Sequence, residues 1–182
     1  MASIRSVAVF CGSAFGKNPA YAEAAAALGR GLARAGIRVI YGGGHNGLMG
    51  VVADAALDAG GEVIGVIPHF LIGTENGHDR LTRLEVTEDM HSRKRRMFDL
   101  SEGFVALPGG IGTLDETIEM ISWRQLGRHD RPILLCDVAG SIAPLAAALA
   151  AMAAQGFIRP TETPLYEYLD GPAAVLARLT GA

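Results

Sequence analysis

Two clusters of residues carry the chemistry of this sequence. The first is Leu107-Pro108-Gly109-Gly110-Ile111-Gly112-Thr113-Leu114-Asp115-Glu116. The apolar run Gly103-Phe104-Val105-Ala106-Leu107 before it reads as a buried strand, and Thr113 to Leu126 carries apolar residues at helical spacing. A strand, a glycine turn and a helix start present free backbone N–H groups and the positive end of a helix dipole to a ligand, for which phosphate is the usual occupant. Glu116, one turn into the helix, then lies beside a bound phosphate ester. An acid in a first helical turn also complements the dipole without any further role. Glu116, however, shares a stripe with Thr113, Met120 and Trp123, whereas Leu114, Ile118 and Ile121 form a separate apolar stripe expected to face the core. The helix terminus is expected to keep Glu116 ionised near neutrality, which suits a base or a cation stabiliser better than a proton donor.

The second cluster is Met90-His91-Ser92-Arg93-Lys94-Arg95-Arg96-Met97. A basic run is ordinarily a solvated face. Arg93 and Lys94, though, each stand three or four positions from both methionines and share their stripe. A cation there is partly desolvated and needs an anionic partner. Arg95 points elsewhere, to solvent, and Arg96 is left open by the spacing. No aromatic residues interleave with the cluster, so a nucleic-acid patch is not expected.

Other patterns are weaker. Gly42, Gly44 and Gly47 satisfy the G-x-G-x-x-G spacing of a dinucleotide turn, but the following strand ends Val66-Ile67-Pro68 without the acid that would hold a ribose. The expectation is a turn that lets a helix and a ligand approach closely. Neither glycine run contains the Gly-Lys-Ser/Thr of a triphosphate loop, and no nucleophile elbow is present. Histidines 45, 69, 78, 91 and 129 lack metal-ligand spacing and read as loop or surface residues; no metal is expected. The two lysines, Lys17 and Lys94, stand in no recognisable cofactor motif, and no cofactor is expected.

The elements that must position these residues alternate. Strands are expected at Ser6–Cys11, Ile37–Tyr41, Val63–Ile67, Leu84–Val86, Phe104–Leu107 and, last, Ile133–Cys136. Helices are expected at Tyr21–Arg34, Leu48–Ala59, Glu88–Leu100, Thr113–Leu126, Ile142–Ala154 and Ala173–Leu179, with an irregular piece around Tyr166 and Tyr168. His69 to Arg83, containing Glu75, Asn76, Gly77, His78 and Asp79, is a polar loop long enough to be functional. Strands apolar on both faces alternating with helices predict an α/β fold: a Rossmann-like, doubly wound parallel sheet with helices on both faces. The turns at Gly12, Gly42 and Gly109 then fall at the carboxyl edge, where such folds bind ligands.

Bulk properties agree. A chain of 182 residues makes one domain, 1–182, the expectation. Hydrophobic content of 49% against 19% charged excludes disorder, and no apolar run is long enough to span a membrane, so no membrane partner is expected. The N-terminus enters a strand pattern without the parts of a signal peptide, which predicts a cytoplasmic protein. Net charge of −3 offers no global attraction to nucleic acid, leaving anion binding to a local site. Cys11 and Cys136 each close an apolar strand and read as free, buried thiols.

Arg93-Lys94 taken with Pro108-Gly-Gly-Ile-Gly-Thr-Leu-Asp-Glu116 resembles the LONELY GUY family of cytokinin-activating phosphoribohydrolases, often labelled lysine decarboxylases. The resemblance extends from Val7-Ala8-Val9-Phe10-Cys11-Gly12-Ser13 through Tyr41-Gly-Gly-Gly44, Gly47-Leu48-Met49-Gly50 and Met90-His91-x-Arg93-Lys94 to Trp123, and weakens after about Asp137. It implies hydrolysis of the N-glycosidic bond of N6-modified adenosine 5′-monophosphates, and of AMP, to free base and ribose 5-phosphate. It implies Arg93 and Glu116 as the catalytic pair. The substrate contacts it implies are Ser13, Gly43, Gly44, Glu75, Met90, Lys94, the phosphate turn Gly109, Gly110, Ile111, Gly112 and Thr113, and Ser122, where relatives often carry threonine. It further implies a homodimer whose partner subunit stands near the site. A non-catalytic nucleotide or molybdenum-cofactor binding protein of the same fold is the alternative.

Overall fold

The computed structural model describes residues 4–75 and 77–181; the expectations that touch Met1, Asn76 and Ala182 lie outside the described residues. The strands are β1 (Ser6–Phe10), β2 (Arg38–Tyr41), β3 (Val63–Pro68), β4 (Arg83–Thr87), β5 (Gly103–Ala106), β6 (Ile133–Asp137) and β7 (Glu167–Asp170). The helices are α1 (Ala20–Arg34), α2 (Gly47–Asp58), α3 (Met90–Leu100), α4 (Ile111–Gln125), α5 (Ala143–Ala154) and α6 (Gly171–Thr180). Among the described residues, these seven strands join one sheet in the order β4-β3-β2-β1-β5-β6-β7, every neighbouring pair parallel. The doubly wound parallel architecture read from the alternation is therefore the observed one.

Alternation of side chains along each strand divides the core in two. Val7, Val9 and Cys11 pack with Leu28, Leu32, Val52 and Val175 of α1, α2 and α6. Ala8 and Phe10 face the other way, onto Met97, Phe98, Met120 and Ile121 of α3 and α4. The chain winds outward from β1 to β4 and then returns to lay β5 against the other side of β1. That reversal opens a crevice beyond the carboxyl ends of β1 and β5, the place where such sheets bind ligands.

Two local features set the site. The helix expected from Glu88 begins at Met90, because Asp89 and Ser92 form a reciprocal capping box: Ser92 N–H donates to Asp89 Oδ1 at 2.7 Å and Asp89 N–H to Ser92 Oγ at 3.1 Å. This fixes Arg93 on the first turn of α3. Helix α4 begins at Ile111 behind Gly110, with no side chain among the described residues capping it, so the N–H groups of its first turn stay available to a ligand.

Two expectations are corrected. The sheet does not end at Cys136. Glu167–Asp170, read as irregular, is a seventh parallel strand paired from Leu134↔Glu167 to Asp137↔Asp170. Its short sequence, Glu-Tyr-Leu-Asp, has the charges of an edge strand in place of a two-faced apolar run. On α4, Leu114 and Ile118 do not face the core: they are 39% and 40% exposed, and the inward face is Thr113, Glu116, Thr117, Met120 and Ile121. Both cysteines are buried and unpaired. Among the described residues, no helix is long and apolar enough to cross a membrane.

Candidate active site

The crevice between β1 and β5 deepens into a pocket lined by Val9, Cys11, Gly12, Ser13, Gly42, Met49, Glu75, Arg93, Gly110, Ile111, Gly112, Thr113 and Glu116. The Gly110 turn forms one wall. The turn can sit against β1 because Gly12 N–H donates to Pro108 O at 3.0 Å and because Gly109 has no side chain; a Cβ there would lie 2.0 Å from Thr113 Oγ1.

Arg93 is the hub of the pocket. It is 5% exposed, and its guanidinium is locked to main chain: Nε donates to Val66 O at 3.0 Å and Nη2 to Gly42 O at 2.9 Å. Two carboxylates flank it. Glu75 Oε2 lies 3.8 Å from Nη2 and Glu116 Oε1 3.9 Å from Nη1. Both distances are charge contacts and too long for hydrogen bonds, so donors and acceptors remain for a ligand placed between them. Met90 Sδ lies 3.8 Å from Nη1. The desolvated arginine expected from the methionine stripe is observed. Its principal partners, however, are carbonyls of β3 and of the segment after β2, not one anion.

Glu116 is 8% exposed, and burial raises its carboxyl to about 7, with the Arg93 cation opposing the rise. This corrects the expectation of a carboxylate kept ionised by the helix terminus. Desolvation outweighs the dipole, and both protonation states are available near neutrality. Burial likewise raises Glu75, against Arg93.

The three glycines of the dinucleotide-like turn have a different use. A Cβ on Gly42 would lie 2.1 Å from Arg93 Nη2, and one on Gly44 would meet Glu75 Cβ at 3.0 Å. Two of the three thus make room for the pocket's charged side chains, while Gly47 opens α2.

Of the residues singled out from sequence, Ser13, Glu75, Arg93, Gly110, Ile111, Gly112, Thr113 and Glu116 line this pocket. Gly44, Met90 and Gly109 adjoin lining residues, Gly44 beside Met49 and Glu75, Met90 beside Arg93 and Gly109 beside Gly12 and Thr113, whereas Gly43 packs against Val66, Ile67 and Leu84. Lys94 and Ser122 stand elsewhere. Lys94 is 8% exposed and ties α3 to α4 through Asp115 Oδ2 at 3.0 Å and Glu119 Oε2 at 3.3 Å. Burial works to lower its pKa, but the two carboxylates outweigh it and hold the ammonium protonated. Ser122 is exposed in a groove on the outer face of α4 with Ile111, Leu114, Ile118 and Trp123. Sequence reading placed the Gly12 and Gly42 turns at the ligand edge but did not single out Val9, Cys11 and Met49 as lining residues; the end of β1 was the signal for the first two. Arg95 is exposed and pairs with Asp99, and Arg96 pairs with Glu85.

One histidine departs from the surface reading. His78 is 2% exposed and, with His45 and Asp54, brings three ligand-type atoms within 4.8 Å of one another. Sequence spacing hides this cluster, since its members come from three segments.

Comparison with known proteins gives concordant findings. A sequence model of a family described as "Possible lysine decarboxylase" matches residues 49–179. A cytokinin riboside 5′-monophosphate phosphoribohydrolase of Rhodococcoides fascians is 45% identical over 157 residues, covering 86% of this chain and 79% of the relative. One from Arabidopsis thaliana is 44% identical over 157 residues, covering 86% and 73%. Among solved structures, the molybdenum cofactor carrier protein of Chlamydomonas reinhardtii matches with a TM-score of 0.73 at 21% identity, over 98% of this chain and 99% of that one. At that identity the likeness is one of fold.

Proposed function

The chain belongs to the LONELY GUY family of cytokinin riboside 5′-monophosphate phosphoribohydrolases, and from that premise we propose that it hydrolyses the N-glycosidic bond of adenosine 5′-monophosphates. The substrates are N6-modified nucleotides and AMP, and the products are free base and ribose 5-phosphate. The observation that carries the proposal is the meeting, in one pocket, of an uncapped helix start, Glu116 and Arg93.

The N–H groups of the first turn of α4 hold the 5′-phosphate, which orients the ribose toward Glu116. The bond from the anomeric carbon to the base nitrogen breaks, water supplies hydroxide to the carbon, and a proton goes to the base. Positive character on the ribose is stabilised by the ionised form of Glu116, which takes the proton from the attacking water and returns it so that the departing base is protonated. Arg93 sets the electrostatic balance between Glu75 and Glu116 from a fixed position.

The family description as a lysine decarboxylase finds no support in the lysines. Lys17 is exposed in a loop, and Lys94 is a protonated strut with two carboxylates, whereas a carbonyl-condensing lysine must present a neutral amine to its pocket.

The proposal extends to a single-domain, cytoplasmic homodimer. Ile111, Leu114 and Ile118 leave an apolar face of α4 exposed, continued by Leu126 just beyond its end, as a self-association surface would. Ile118→Glu is expected to convert the sedimenting species to monomer.

The test of function is incubation with AMP, N6-isopentenyladenosine 5′-monophosphate and the corresponding nucleosides, followed by chromatography of the base. Both nucleotides are expected to release base, and the nucleosides at least about 100-fold more slowly, because they lack the phosphate anchor. Release of base from neither nucleotide contradicts the proposal. Gly42→Ala is expected to lower kcat/KM for AMP about 100-fold by displacing the guanidinium. Wild-type turnover in that variant would remove Arg93's fixed position from the account.

A further inference from the structure

We infer that Asp54 is a positioning residue for the pocket: this one carboxylate on α2 clamps His45 and His78, and through them holds Glu75 against Arg93. Its kinetic consequence rests on the proposed phosphoribohydrolase activity; its structural consequence does not.

Glu75 needs such a device. Its Oε2 is buried and has no hydrogen-bond partner among the described residues, so the side chain does not anchor itself. Its place is set by main chain. Glu75 N–H donates to Leu71 O at 2.8 Å, and Glu75 O accepts from His45 N–H at 3.0 Å. Two residues on, Gly77 bridges Gly44 in antiparallel fashion, and His78 N–H donates to Gly43 O at 3.1 Å. Such a short ladder, made of glycines, has little stability of its own.

The side chains on either side of the ladder close it. The rings of His45 and His78 stand 4.1 Å apart and turn their Nε2 atoms to the same carboxylate. His45 Nε2 lies 3.0 Å from Asp54 Oδ2, and His78 Nε2 lies 3.3 Å from Oδ1. Arg80 adds Nη1 to Oδ1 at 3.0 Å and Nη2 to Asp58 Oδ1 at 2.6 Å. Asp54 therefore holds both sides of the ladder from a helix packed into the core. Burial works to raise its pKa, but the contacts with His45, His78 and Arg80 outweigh burial and keep it charged.

The same atoms have metal-ligand types, but the tautomer opposes coordination. Arg80 N–H donates to His78 Nδ1 at 3.2 Å, so the proton of the neutral ring sits on Nε2, facing Asp54. A nitrogen bearing a proton has no lone pair for a cation. The cluster is a clamp in which His45 and Arg80 hydrogen-bond Asp54 and His78 Nε2 makes a close polar contact with it at 3.3 Å.

Hydrogen–deuterium exchange of the apo protein tests the clamp directly. Asp54→Asn is expected to speed exchange of the 43–46 and 72–79 segments at least about tenfold, leaving the sheet protected. Asp58→Asn, which touches Arg80 and neither histidine, is expected to change nothing. In AMP hydrolysis, Asp54→Asn is expected to lower kcat about tenfold, and to add less than about twofold when Glu75 is already Gln. Unchanged exchange in those two segments overturns the clamp. Effects of Asp54→Asn and Glu75→Gln that multiply overturn its action through Glu75. A wild-type protein that releases no base contradicts the proposed function instead, and the exchange result still decides the clamp.

Discussion

Glu116→Gln is expected to lower kcat for AMP about 1,000-fold with little change in KM, because glutamine keeps the shape and loses the charge that acts at the ribose. The same substitution is expected to make the protein more stable at alkaline pH. In the folded protein the Glu116 carboxyl sits at about 7, above its ordinary value of 4.5, because burial disfavours the anion. The folded state therefore holds the proton more tightly than the unfolded chain. The stability this contributes is fully present below pH 4.5 and is lost as pH rises through about 7. A shift of this size corresponds to about 3 kcal/mol of stability lost above that pH. Glutamine carries no charge to bury, so denaturant titrations should show the variant close to wild type at pH 5 and more stable at pH 8. The wild-type kcat/KM profile is expected to fall on the acid side of about pH 7, where Glu116 takes up its proton. Equal turnover in wild type and Glu116→Gln contradicts the assignment. A stability difference independent of pH contradicts the burial argument alone.

Arg93→Lys is expected to be nearly as damaging, although it conserves charge. The guanidinium serves the carbonyls of Val66 and Gly42 with two nitrogens while facing Glu75 and Glu116. An ammonium is a point charge and cannot reproduce that planar fork. One carbonyl is left without its donor in a buried place, which costs about 1–3 kcal/mol in stability. The cation is also no longer fixed between the two carboxylates. A fall in kcat/KM for AMP of about 100-fold is expected, together with a lowered denaturation midpoint. A lysine variant within threefold of wild type would show that charge alone suffices, and that the locked geometry is incidental.

The pairing of these two residues was visible in the sequence only as two separate signals. The glycine turn before a helix announced an anion site, and the methionine stripe announced that Arg93 would be desolvated. Both are local patterns of a few residues. The partners of Arg93 are 27 and 51 positions away, at Val66 and Gly42, and no local period reports them. The turn at Gly42, Gly44 and Gly47 illustrates the same limit. Its spacing marks a close approach but not what approaches, and the occupants are Arg93 and Glu75. On α4 the hydrophobic period was present and pointed outward. Leu114 and Ile118 are apolar on an exposed face, while the inward face carries Thr113, Glu116 and Thr117. Periodicity separates two stripes of a helix without saying which one the core receives. The proton affinity of Glu116 failed for a related reason, since the dipole is a property of the local helix and the opposing desolvation comes from the packing of the whole sheet edge.

The central claim is that this pocket breaks the bond between ribose and base and leaves the phosphate ester intact. Hydrolysis of AMP in water enriched in heavy oxygen, followed by mass spectrometry, tests it most directly. The account predicts free adenine in equal amount with ribose 5-phosphate, with the heavy oxygen on the sugar and none in inorganic phosphate. Adenosine with labelled inorganic phosphate would contradict it.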